Sequence, residues 1–289
     1  MPARTSIPLP KRAHTSHKGS FTRVTVIGGS PGMLGAPCFV AAGALRAGCG
    51  LMYLVVPAAI MTTCLGLVPS AIGMPVEDFV VPSTEGDAEC SILAVGPGIG
   101  FGVSSKRLME GVFASNAPLV LDGDGLTHLA KRRSLPAWDD RPVVLTPHPG
   151  EYARLATRWR TPPLPGSHST RAVRRSAARA LAQATGAVVV LKGHETVVSD
   201  GQSTWRCAAG GPNLAIPGSG DVLTGVIAGL MSQGMSTFDA ARLGVQLHAV
   251  AGDRWARERP FGLFAMELAA GIPLAARRFA RSRQARGLT

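Results

Sequence analysis

The chain has 289 residues, with 30 Lys and Arg against 18 Asp and Glu, a formal net charge of +12. A hydrophobic share of 46% against 17% charged excludes a long disordered chain, and 35 Gly and 22 Pro scattered between apolar runs exclude collagen-like and low-complexity chains. The charge asks for an anionic partner, a demand that nucleic acid, acidic lipid and a phosphorylated metabolite would each satisfy.

The N-terminus is basic (Arg4, Lys11, Arg12, Lys18) and lacks the apolar core of a secretion signal. Val24–Ile27 is a strand pattern that runs into Gly28-Gly29-Ser30-Pro31-Gly32, and Gly35–Ala47 has helical period. The uncharged stretch from Ala47 to Val76 is interrupted by Pro57, Pro69 and Pro75, so it predicts a buried strand, Leu51–Val56, and a short helix rather than a membrane span. Further strands follow, each ending in a distinctive turn. Ile92–Val95 leads into Gly96-Pro97-Gly98-Ile99-Gly100, and Leu119–Leu121 into Asp122-Gly123-Asp124-Gly125. Val143–Leu145 leads into Thr146-Pro147-His148-Pro149-Gly150-Glu151. A helix over Thr170–Ala184 precedes Ala187–Leu191, which leads into Lys192-Gly193-His194-Glu195-Thr196.

These strands are continuous apolar runs, as expected where both faces are covered. Their alternation with helices predicts an α/β fold in three layers, a mainly parallel central sheet with helices on both faces. Thr196–Ser199 and Ser203–Cys207 flank Asp200-Gly201, a hairpin signal that predicts an antiparallel edge. Helices over about Asp221–Gln233, Thr237–Arg257 and Gly262–Arg278 complete the chain. No linker divides it, so residues 18–281 are expected as one domain, with loose basic tails at 1–17 and 282–289. Cys38, Cys49, Cys64, Cys90 and Cys207 form no C-x-x-C and suggest buried thiols in a reducing compartment.

The sharpest chemical signal is Pro217-Gly218-Ser219-Gly220-Asp221, set just before a helix. Glycines there let successive N–H groups point into one concavity at a helix N-terminus, an anion hole. Asp221 is placed as a general base, and equally as a helix cap with a lowered pKa. Lys192 and Gly193 stand where ligands of open α/β sheets bind, beyond the strand ends; a solvated turn Lys is the plainer reading. His148, fixed between two prolines, suits ligand positioning or a structural role. Gly98 and Gly100 permit close backbone approach, and Asp122 with Asp124 suits either Mg²⁺ or a tight turn with a cap. No metal ligand is assigned. The Gly-rich turn after the first strand is neither a Walker A nor a G-x-G-x-x-G motif.

With these residues in view, the chain resembles the ADP/ATP-dependent NAD(P)H-hydrate dehydratases of the ribokinase-like superfamily. The resemblance rests on HKGSFTRVTVIGGSPGMLGA, LRAGCGLMYLVVP, VGPGIG, PLVLDGDGLTHLA, VVLTPHPGE, VVVLKGHETVV, LAIPGSGDVLTGVIAGLMSQG and LGVQLHAVAGD, in that order, spanning about Lys18 to Asp253. It implies a ribokinase-like fold and repair of hydrated NADH and NADPH. In that reaction the hydroxyl of the S-form hydrate is phosphorylated from ADP or ATP, with Mg²⁺, and phosphate is then eliminated. It implies that Lys192, Gly193, His194, Glu195, Thr196 and Gly220 bind the nucleotide. It implies that Ala36, Gly98, Gly100, His148 and Asp221 meet the substrate, with Asp221 as base and Gly218, Ser219 and Gly220 as anion hole. A cytoplasmic homo-oligomer is implied, with any epimerase on a separate chain and neither nucleic acid nor membrane as partner.

Three positions depart from the family pattern: Thr127 replaces an Asn, Gly211 stands where Asn is usual, and Ile216 replaces a small residue. The alternative within the superfamily is a small-molecule kinase acting on a vitamin precursor. The alternative outside it is a nucleic-acid-binding protein, suggested by Arg171, Arg174, Arg175 and Arg179 at helical spacing and by Arg277, Arg278, Arg281, Arg283 and Arg286. No aromatic stacking set accompanies those arginines.

Overall fold

Runs of Val, Ile and Leu long enough to span a sheet, but too short for a helix, become strands in the computed structural model, which describes residues 7–82, 91–136, 138, 140–166 and 169–284. Arg4, Cys90 and Arg286 lie outside the described residues, as do the side chains of Arg278, Arg281 and Arg283. The strands are β1 (Arg23–Ile27), β2 (Met52–Val56), β3 (Ile72–Pro75), β4 (Ser91–Val95), β5 (Leu119–Leu121), β6 (Val143–Leu145), β7 (Val188–Leu191), β8 (Val197–Ser199) and β9 (Thr204–Arg206). They pair in the order β3-β2-β1-β4-β5-β6-β7-β8-β9. The first seven are parallel; β8 and β9 are antiparallel, with Asp200-Gly201 at their turn.

The helices are α1 (Gly35–Ala47), α2 (Ala58–Leu67), α3 (Val103–Ala114), α4 (Asp124–Lys131), α5 (Pro149–Trp159), α6 (Arg171–Thr185), α7 (Ser219–Met231), α8 (Thr237–Glu258) and α9 (Ala265–Gln284). Successive strand residues face opposite sides, so one sheet feeds two cores. Val24, Val26, Leu54, Ala94, Val120, Val144 and Val190 face α1, α2, α7, α8 and α9. Ile27, Val55, Leu93, Val95, Leu121, Leu145 and Val189 face α3, α4, α5 and α6. This double burial explains why the strands lack alternation.

Within the first layer α1 and α7 touch backbone to backbone. A Cβ on Gly43 would stand 2.3 Å from the Val222 carbonyl oxygen, and one on Gly225 would stand 1.9 Å from that of Val40. Only glycine permits that approach, and it holds the start of α7 beside the start of α1.

Several elements differ from the sequence expectation. β3 falls within a stretch read as helix and turn; it is a short edge strand with Ile72 46% exposed and Pro75 at its end. α3, α4 and α5 were not anticipated. α9 starts at Ala265 rather than Gly262, whose φ of +91° is incompatible with a helix, and it runs on to Gln284, into the segment expected as a tail. Residues 7–17, expected as a loose tail, lie on the domain: Ile7 is buried, and Arg12 bonds Gly48 O and Gln233 Oε1 and stacks on Phe21.

Cys38, Cys49, Cys64 and Cys207 are buried free thiols. Burial pushes Cys38 and Cys49 up to about 12, so neither is nucleophilic at neutral pH. Among the described residues no helix is long and apolar enough to cross a membrane.

Candidate active site

β1, β4, β5, β6 and β7 are adjacent parallel strands, so the five turns singled out in the sequence emerge along one edge of the sheet. The chain leaves β1 toward β2 and leaves β4 toward β5, in opposite directions; the crevice between such exits is where open α/β sheets bind ligands. There the two Gly turns meet. Gly29 N donates to Pro97 O at 2.9 Å, and Gly98, at φ +68°, would place a Cβ 2.8 Å from Met33 Cβ. Ala36 is buried in the first turn of α1 beside them. Gly100 is gripped on both backbone groups from α4: its N–H donates to Asp124 Oδ2 at 2.9 Å, and His128 Nε2 stands 2.8 Å from its carbonyl oxygen.

At the neighbouring exits a buried charge cluster forms. Lys192 Nζ lies 2.7 Å from Asp122 Oδ1 and 3.7 Å from Glu151 Oε2. Thr224, from α7, donates to Asp122 Oδ2 at 2.8 Å. Burial opposes ionisation of Asp122, but the Lys192 charge and the hydrogen bonds from Lys192 and Thr224 outweigh it and hold the carboxyl below its usual range. Burial equally opposes the Lys192 charge, and Asp122 with Glu151 holds it protonated. Burial pushes Glu151 up to about 7; Lys192 works against that shift and Asp122 adds to it. Lys192 is therefore not the free turn cation of the plainer reading. Asp122 pairs with Lys192 and Thr224, and Asp124 with the Gly100 N–H. Among the described residues no group of three or more His, Cys, Asp and Glu side chains is placed to hold a metal.

α7 enters the same edge from Gly218, at φ +82°. Gly220 stands directly over the cluster, where a Cβ would be 3.1 Å from Lys192 Nζ. The amides of Gly218 and Gly220 thus open the helix above a buried lysine, while the Ser219 N–H turns back to the Ile216 carbonyl oxygen at 3.3 Å. No side chain caps α7, Asp221 included. Burial, reinforced by Asp122 and Glu151 and opposed by Lys192, pushes Asp221 up to about 7. The two sequence readings of Asp221 separate here: a cap would have a hydrogen bond and a lowered pKa, and this carboxylate has neither.

His148 has a structural task. Its Nδ1 accepts from Gly150 N at 3.0 Å, and its own N–H donates to Glu151 Oε2 at 2.8 Å, a reciprocal cap on α5. The imidazole stays half exposed, with its Nε2 3.5 Å from Glu151 Oε1. In the turn after β7, Gly193 takes φ +131° and Glu195 φ +55°. Glu195 is clamped by Arg171, with Nε to Oε2 at 2.6 Å, and by Arg206; Thr196 Oγ1 donates to Gly193 O at 3.0 Å. Arg174, part of the suggested basic stripe, is buried beneath this turn and donates to the Leu191 and Lys192 carbonyls, both at 3.1 Å. Arg179 Nε donates to Gly201 O at 3.1 Å. Arg171, Arg174 and Arg179 of the stripe thus bind their own chain.

Two functional candidates escaped sequence reasoning. Thr224 has no local signal, since its partner Asp122 is 102 residues away. His248, in α8, reads as a lone core histidine. Glu151 was legible as the third residue after His148, the spacing of a reciprocal cap. Of the three departures, Gly211 is accompanied by Asn213, whose Nδ2 donates to Gly252 O at 2.7 Å, and Ile216 packs against the core. Nothing in the structure explains Thr127.

The nine-stranded, mainly parallel sheet with helices on both faces is a ribokinase-like fold, and a glycine-rich turn with a carboxylate in the first helical turn opens α7 at its edge. The chain matches the family model described as NAD(P)H-hydrate dehydratase over residues 24–274, and it belongs to that family. It is 36% identical over 251 residues to the ADP-dependent (S)-NAD(P)H-hydrate dehydratase of Neisseria meningitidis serogroup B, covering 84% of this chain and 80% of that one. It is 39% identical over 265 residues to the bifunctional NAD(P)H-hydrate repair enzyme of Moorella thermoacetica, covering 87% of this chain and 48% of that one. The chain thus spans about half the length of the bifunctional relatives it matches. The crystal structure of the ADP/ATP-dependent NAD(P)H-hydrate dehydratase from Bacillus subtilis, co-crystallised with ATP and Mg²⁺, superposes with a TM-score of 0.81 at 29% identity, covering 94% of this chain and 95% of that one.

Proposed function

We propose that this chain restores NAD(P)H from its S-form hydrate, consuming ADP or ATP. The observation that carries the reading is the uncapped carboxylate of Asp221, with its pKa pushed up to about 7, next to the Gly218 and Gly220 amides. A hydroxyl is a poor leaving group and a phosphate ester a good one, so the nucleotide is spent on activating the oxygen. Asp221 takes the hydroxyl proton as that oxygen attacks the terminal phosphoryl group, and the amides hold the negative charge that develops. The C–O bond then breaks, phosphate leaves with its electron pair, and the neighbouring ring carbon gives up a proton, which restores the ring double bond and the conjugation of the dihydronicotinamide. With ADP the products are NAD(P)H, AMP and phosphate.

In this reading Lys192, Gly193, His194, Glu195, Thr196 and Gly220 surround the nucleotide. Ala36, Gly98, Gly100 and His148 receive the hydrated dinucleotide at the crevice and present its hydroxyl to Asp221. Mg²⁺ fits the charge inventory: Asp122, Glu151 and Asp221 surround Lys192, and burial, reinforced by repulsion among these carboxylates, pushes Glu151 and Asp221 up to about 7. Held chiefly by nucleotide phosphates, with Glu151 as the protein's contribution, it would supply charge neutralisation. The reading places the protein in a reducing cytoplasm, in keeping with its four buried free thiols, as one domain that assembles with copies of itself.

Incubating hydrated NADH with the protein and either nucleotide should restore the near-ultraviolet absorbance of NADH. No recovery with either one refutes the reading. Accumulation of a stable phosphorylated vitamin precursor would mark the superfamily kinase instead.

A further inference from the structure

The loop that precedes α7 is tied at three points to one side of α8. His248 Nε2 stands 3.1 Å from Ser219 Oγ and 3.0 Å from the Ser219 carbonyl oxygen. Four residues on, the Gly252 carbonyl accepts from Asn213 Nδ2 at 2.7 Å. The next residue, Asp253, takes the Gly210 N–H on both oxygens, at 3.2 and 3.1 Å. Gly252 has no room for a side chain, since a Cβ there would stand 2.6 Å from Leu214 Cδ2. One helix thus templates the loop from Gly210 to the first turn of α7.

The tautomer of His248 follows from these partners. A carbonyl oxygen cannot donate, so Nε2 must carry the proton. Toward His248 the Ser219 hydroxyl is then an acceptor, and its own proton is directed elsewhere. His248 is buried at 8% exposure, and that burial pushes its pKa to about 4, so the imidazole keeps one neutral form through the working range. Ser219 is the first residue of α7 and lies between the two glycines of the anion hole.

We infer that His248 is a positioning residue. It turns the Ser219 hydroxyl so that Oγ–H joins the Gly218 and Gly220 amides as an additional donor to the transferring phosphoryl group. The inference rests on the reaction proposed above.

The test compares Ser219→Ala, His248→Leu, His248→Gln and the double variant Ser219→Ala/His248→Leu, in the hydrate assay and by thermal unfolding. Ser219→Ala and His248→Leu should each lower kcat about 10- to 100-fold, with the nucleotide KM changed by less than about threefold. His248→Gln, whose amide donates from nearly the same place, should recover most of the loss. The double variant should be no slower than the slower single, because both remove one interaction. Full kcat in Ser219→Ala, or losses that multiply in the double variant, overturns the inference. If His248→Leu does not fold, the isosteric Ser219→Ala still decides the matter. A wild type without turnover refutes the reaction and this inference with it; a wild type that turns over beside an unimpaired Ser219→Ala removes the inference alone. One readout needs no turnover: nitrogen NMR should show His248 as the Nε2–H tautomer from about pH 6 to 8, and the Nδ1–H tautomer would overturn the assignment.

Discussion

Replacing Asp221 by Asn should make the protein more stable and nearly inactive, and the stability gain should depend on pH. The Asp221 carboxyl ionises near 7 instead of at its ordinary 3.8, so its ionised form costs the fold on the order of 4 kcal/mol. The folded state holds this proton more tightly than the unfolded chain does. Its contribution is therefore fully present below about pH 4 and is lost as pH rises through about 7. Asn never ionises and avoids that loss, though its amide still bears a burial cost of roughly 1–3 kcal/mol. The net expectation is a gain of about 1–3 kcal/mol at about pH 8, seen as a Tm higher by several degrees, turning into a loss of about 1–3 kcal/mol near pH 4, where only the amide cost remains. Turnover should fall by about 10²- to 10⁴-fold, the usual worth of a general base. Urea titrations at both pH values measure the first effect and the hydrate assay the second. A helix cap behaves in the opposite way, since its removal costs about 1 kcal/mol. A lower Tm in Asp221→Asn at about pH 8, or a gain that does not change with pH, would refute the argument.

The same carboxylate sets a pH profile: kcat/KM should rise about tenfold per pH unit up to about 7 and then level off, and Glu151→Gln should move that limb to lower pH by removing one of the charges that raise Asp221. Lys192→Met should move the limb to higher pH and destabilise the fold by about 3–5 kcal/mol, because Asp122 is left buried without its cation; pH–rate profiles and denaturant titration check both. Gly225→Ala should cost about 1–3 kcal/mol by forcing α1 from α7, whereas Gly66→Ala in α2, with nothing within 4 Å, should gain about 0.5–1 kcal/mol; thermal unfolding of the pair separates crowding from helix propensity.

What the sequence made legible is what depends on neighbours in the chain. A strand buried on both faces is an unbroken apolar run, so β1, β2, β4, β5, β6 and β7 were visible, and the Asp200-Gly201 turn marked the hairpin. β3 was hidden because an edge strand of four residues, half exposed and ending in Pro75, has no such run. α5 was hidden because its cap is His148, outside the usual Ser, Thr, Asp and Asn that mark a helix start. In the candidate site, the glycines and Asp221 were legible because a glycine-rich turn into a helix is local backbone. The partner of Lys192 was not. Asp122 lies 70 residues earlier, and only the adjacency of sheet positions brings the two together. Sequence alone could place a lysine at the right edge but not say that its charge was already matched.

The sheet order has a consequence for how the molecule is made. Every strand ends by Arg206, yet the face that carries Val24, Val26, Leu54, Ala94, Val120, Val144 and Val190 needs α7, α8 and α9, which begin at Ser219. During synthesis the last strand is complete while that face has only α1 and α2 over it, the exposed apolar surface that chaperones recognise. The segment that finally covers it opens with Gly218, Ser219, Gly220 and Asp221. The helix that closes this core is also the one that brings Gly218 to Asp221 to the sheet edge, so the candidate site is incomplete until that face is covered.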